Sequence, residues 1–134
     1  AVDLDLILRD LELKLFDEGR KEFFSIFMKN VPRVKVELAI IRERTVAKQG
    51  YDSFLEPVVH TRASEIMDEV VTDDMKERSQ RLIDVAAEML VSQGVAKRSD
   101  DRGIRSLRAR LTDSFHNGRI HGYASALELF YERR

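Results

Sequence analysis

The chain has no cysteine, no tryptophan, two prolines and six glycines in 134 residues. Without cysteine there are no disulfide staples and no thiolate zinc site, which fits a reducing compartment. Two prolines and six glycines leave room for long uninterrupted elements. No run of about 18 apolar residues occurs, which excludes a membrane-spanning helix among these residues. The start, Ala-Val-Asp-Leu-Asp-Leu, lacks the basic and apolar regions of a signal peptide. There is no glycine-rich phosphate loop and no G-x-S-x-G elbow. These absences favour a cytoplasmic or other reducing intracellular location, with no membrane partner.

What is present is apolar content and charge. Hydrophobic residues make up 43% and charged residues 35%, enough for one core in a well-solvated chain. The net charge of −1 hides a polarity. Residues 97–134 carry nine bases and five acids, a surplus of +4, and residues 1–96 carry 14 bases and 19 acids, a balance of −5. Such asymmetry shapes encounters with partners and does not choose a fold.

Periodicity predicts an all-α protein, a compact bundle of six or seven amphipathic helices in a single domain over 1–134. Leu4, Leu8, Leu11 and Leu15 line one helix face over 3–18, and Gly19 reads as its stop. A second, Phe-rich helix is expected over 20–30, ended by Asn30 and Pro32. Residues 32–49 fit helix or strand, and the helix reading is preferred. Pro57 opens a helix striped by Val59, Ala63, Ile66 and Val70. Thr72 with Asp73 and Asp74 caps a helix over 73–93, with Leu82, Val85, Ala86, Met89 and Leu90 directed inward and Gly94 as terminator. A helix over 100–117 carries Ile104, Leu107, Leu111 and Phe115, closed by Asn117-Gly118. A last helix follows over 122–133. Residues 95–112 also permit a short β-hairpin resembling the wing of a winged helix.

Four groups of residues carry candidate chemistry. Arg102, Arg105 and Arg108 share a helix face and suit phosphate oxygens, which points to nucleic acid. The alternative is a solvated face paired with acids. Phe23, Phe24 and Phe27 are read as core or, where exposed, as a partner-binding surface. Asp113, His116 and His121 could hold zinc if they converged, but their spacing does not fix a site. His60 stands alone, so no metal and no cofactor are assigned. The carboxylates Asp68, Glu69, Asp73 and Asp74 read as capping and surface charge.

The fourth group is Arg110 and His116. Their Arg-x5-His spacing resembles the catalytic pattern of HEPN-domain ribonucleases, which are helical bundles of about this size. The resemblance covers seven residues and departs at Leu111, where a polar residue commonly follows the arginine. It implies a histidine handling protons and an arginine stabilising phosphate. On an ideal helix the two side chains lie roughly 120° apart.

Together these features point to a non-catalytic protein–protein interaction module, a regulatory, adaptor or assembly subunit that pairs with itself or a larger protein. The alternatives are a nucleic-acid-binding regulator and a HEPN-like ribonuclease.

Overall fold

The computed structural model describes residues 3–94 and 101–132, and within them the fold is all-helical with no strand. Five helices appear: α1 (Leu4–Met28), α2 (Val31–Gln49), α3 (Glu56–Val70), α4 (Asp73–Ser92) and α5 (Asp101–Glu132). The expected six or seven become five because two predicted stops do not stop. Gly19 continues α1, joining the segments 3–18 and 20–30. Asn117-Gly118 continues α5, joining 100–117 to 122–133. A glycine inside a helix costs about 1 kcal/mol against alanine, and buried packing readily offsets that amount.

Gly118 shows what the packing gains. A Cβ there would lie 2.0 Å from the Phe16 carbonyl oxygen. At Gly122 it would lie 2.2 Å from the Arg20 carbonyl oxygen. Both positions admit only hydrogen where α5 passes the backbone of α1, so these glycines serve close approach rather than termination.

The other boundaries follow local chemistry. The Asn30 side chain accepts from the Arg33 amide at the start of α2, with Pro32 in the first turn. Gly50 ends α2 in the left-handed conformation, φ 84°. The Thr72 hydroxyl accepts from the Met75 amide to cap α4. The hairpin alternative fails where it is described, because 101–112 is helix; its first half, 95–100, lies outside the described residues.

The chain divides into two compact units, Ala1–Gly19 with Val71–Gly118, and Arg20–Val70 with Arg119–Arg134. Helices α1 and α5 contribute residues to both. The first unit packs Leu8, Leu11 and Leu15 of α1 against Ile83, Ala86, Ala87 and Leu90 of α4 and Leu111 and Phe115 of α5. The second buries Phe23 and Phe27 with Val34, Ile41, Val59, Ala63, Ile66, Tyr123 and Leu127. Each buried Val, Leu, Ile or Phe among them contributes about 1.5–3 kcal/mol before chain entropy opposes it.

Helix α4 departs from its sequence reading. Val85 is 60% exposed and Met89 45% exposed, although both were expected inside. Its apolar residues run through 82, 83, 85, 86, 87, 89 and 90, an arc wider than α1 and α5 cover. The buried side is Ile83, Ala86, Ala87 and Leu90, and the surplus faces solvent. Among the described residues no helix is long and apolar enough to cross a membrane.

Candidate functional site

The second unit holds a buried carboxylate. Glu37 on α2 has no exposed surface. One carboxylate oxygen accepts from Arg62 Nε at 2.7 Å and from the Tyr123 hydroxyl at 2.7 Å. The other accepts from Arg33 Nε at 3.1 Å and from an Arg62 terminal nitrogen at 3.0 Å. Arg33 also reaches Glu69 at 2.8 Å, and Arg44 pairs with Glu65 nearby. Three helices, α2, α3 and α5, therefore meet on one carboxylate.

The electrostatics follow from that geometry. Burial by itself pushes the Glu37 carboxyl up. Hydrogen bonds from Arg62 and Tyr123, the Arg62 charge and the Arg33 bond outweigh it and hold the group below its ordinary value. Burial, then the hydrogen bond to Glu37, raises the Tyr123 phenol far above its usual range. The same contacts raise both arginines, Arg33 chiefly through Glu69 and Arg62 chiefly through Glu37. This carboxylate has four donors at hydrogen-bond distance, so it is built to stay ionised and hold helices, not to accept a proton in a reaction.

An apolar stripe over α2 runs through Val34, Leu38 and Ile41 and passes over Glu37. The buried set is Val34, Glu37, Ile41 and Thr45, a 3-4-4 repeat with an acid inside it. The available signal was Arg33 one turn before Glu37, an i,i+4 pair.

The first unit holds grooves. Between α1 and α4 lies one of about 280 Å³, lined by Leu11, Leu15, Leu82, Val85, Ala86 and Met89, with Lys14, Asp17 and Glu18 on its α1 side. Between α1 and α5 lies a larger one, about 530 Å³, where Leu6 and Leu13 sit among Arg9, Glu12 and Arg110. The smaller groove is the more apolar of the two.

Phe23 and Phe27 are buried at 0% and 1% exposure, and Phe24 is half-buried. Phe27 meets Tyr123 edge to face with ring centres 5.0 Å apart, and the Arg119 guanidinium lies 5.8 Å from the Phe23 ring centre. Phe23 and Phe27 are core, and the exposed large apolar side chains lie elsewhere: Leu4, Leu6 and Leu13 on α1, Val31, Val36 and Val46 on α2, Tyr51 after it, and Val85 and Met89 on α4. Arg108 is bound to Asp84, whose carboxyl that bond pushes down. Arg105 is exposed and already engaged in a polar or electrostatic contact. The side chain of Arg102 lies outside the described residues.

Arg110 donates to Glu12 at 2.8 Å. His116 sits on the same unbroken helix, so the two keep the roughly 120° separation of an ideal helix. On the continuous α5, Asp113 and His116 share a face about 60° apart, while His121 lies about 140° from His116. No group of three or more metal-ligand side chains converges among the described residues. His60, read as solitary, instead lies beside His121 with ring centres 5.2 Å apart. No sequence signal links these two, because one is on α3 and the other on α5.

Compared with family models, with curated proteins and with solved structures, the chain matches none.

Proposed function

We propose that this chain is a non-catalytic helical interaction module that pairs with a second copy of itself through the α1–α4 face of its first unit. The observation that carries the reading is the surplus apolar arc of α4. Val85 and Met89 stand exposed one turn apart beside a groove floored by Leu11, Leu15, Leu82 and Ala86. An apolar strip with a charged border is the usual anatomy of a protein contact.

The border favours a second copy as occupant. Lys14, Asp17 and Glu18 lie on the α1 side of the groove, and Asp84 and Glu88 flank Val85 and Met89 on α4, with Glu18 paired to Arg78 and Asp84 to Arg108 inside the chain. In a two-fold pairing the same patch meets itself, so the apolar strip packs on its own copy and Lys14 of each copy comes up against the other's mainly acidic border. Val85 and Met89 add apolar area at the centre without taking part in the monomer's core.

The test is the oligomeric state in sedimentation or light scattering. A dimer is expected at micromolar concentration. Val85→Glu with Met89→Glu should yield a monomer whose own stability changes by no more than about 0.5 kcal/mol, as exposed positions do. A strict monomer, or a double variant that still dimerises, sinks the proposal.

A further inference from the structure

The His60–His121 pair lies in the second unit. His60 is half-buried on α3 and His121 is exposed on α5. Their ring centres are 5.2 Å apart and their planes inclined by 56°. Two imidazoles bound to one tetrahedral ion at the usual Zn–N distance of ~2.0 Å have ring centres roughly 5 Å apart. The observed spacing therefore matches what a shared ion demands, and the inclination keeps the rings out of a flat stack.

The backbone beneath the pair is fixed. Arg62 lies two residues after His60, and Tyr123 two residues after His121. Both donate to the same Glu37 oxygen, each at 2.7 Å. This clamp sets the separation of α3 and α5 at the level of the histidines, so little ordering is left for an ion to impose. Each imidazole carries two ring nitrogens, so one of each can serve a shared ion while the other keeps a contact of the kind His121 already has.

We propose that His60 and His121 form a two-imidazole site for a borderline divalent cation of the zinc class. Imidazole suits zinc, copper and nickel, whereas calcium and magnesium prefer oxygen. No third histidine or carboxylate joins the pair among the described residues. Water fills the remaining positions, so the site is open and exchangeable rather than a closed structural centre.

The experiment uses the 134-residue chain without a histidine tag. Titration with Co²⁺, followed by visible absorption, and with Zn²⁺, followed by calorimetry, should show one ion per chain. His121→Ala and His60→Gln should each weaken binding at least tenfold. The imidazole nitrogen resonances of both histidines in the unsubstituted protein should shift together on adding Zn²⁺, which keeps the test valid if a variant fails to fold. Absence of binding up to millimolar metal, affinity that survives either substitution, or nitrogen shifts confined to His116 would overturn the proposal.

Discussion

Glu37 concentrates more of this molecule's physics than any other side chain. A buried carboxylate without partners costs several kcal/mol, and this one is matched by two arginines and a phenol. The matching makes stability depend on pH at both extremes. The Glu37 pKa is depressed in the fold, so its contribution is present above the unfolded value of about 4.3 and is lost as pH falls through the folded value. The Tyr123 pKa is raised, so its contribution is present below the unfolded value of about 10 and declines as pH rises beyond it. Denaturant unfolding across pH should give a plateau between these limits, with the alkaline limb falling by at most about 1.4 kcal/mol per pH unit for this one proton. Tyr123→Phe removes that proton: its difference from the unsubstituted protein should be about 1–2 kcal/mol at neutral pH and should shrink above pH ~10. A difference that stays constant to pH ~11 would show that the phenol does not ionise differently in folded and unfolded chains.

At the scale of elements, the helix ends were readable wherever a cap or an obligatory backbone conformation marks them. Thr72, Asn30 with Pro32, and Gly50 all do the work their residue types suggest. The reading failed where glycine had two explanations. In sequence, Asn117-Gly118 looks like a terminator; in the fold, Gly118 is the place where α5 touches the backbone of α1. Only the partner helix distinguishes the two cases, and spacing along one helix does not contain it. The same limit hid Glu37, since an acid inside a buried stripe makes sense only once Arg62 and Tyr123 arrive from other helices. It hid the outer face of α4 as well, because periodicity finds an apolar arc but not how much of it neighbours cover. A comparison of glycines tests this account. Gly118→Ala must displace a backbone carbonyl 2.0 Å from the new Cβ and should cost about 3 kcal/mol or more. Gly50→Ala meets nothing within 4 Å and suffers only its left-handed conformation, φ 84°, at about 1 kcal/mol. Equal losses in urea melts, or a larger loss at Gly50, would contradict the close-approach role.

At the scale of the whole molecule, the issue is which force brings a partner. The surplus of positive charge in residues 97–134 invites a phosphate backbone, and the pI of 6.4 does not. Among the described residues three arginines of that segment meet acids: Arg108 meets Asp84, Arg110 meets Glu12, and Arg119 meets Glu22 at 2.6 Å. A guanidinium already paired must give up its carboxylate before taking a phosphate, and this lowers the gain from each contact. The α4 face asks for no such exchange, since Val85 and Met89 have only water to displace. Salt separates the two forces. Phosphate binding releases counterions, so it falls steeply with ionic strength, by about 10³-fold or more from 50 to 200 mM when six or more phosphates are contacted. Association through an apolar strip with a mixed-charge border changes little over the same range. The dimer fraction of this chain should therefore stay nearly constant from 50 to about 500 mM salt, while any retention of labelled RNA or duplex DNA at 50 mM should vanish by ~200 mM. A dimer that dissociates with rising salt would place the contact on the charged faces instead. Nucleic-acid binding that weakens on replacing Arg105 and Arg108 by alanine, with the dimer intact, would establish the basic segment as a second working surface.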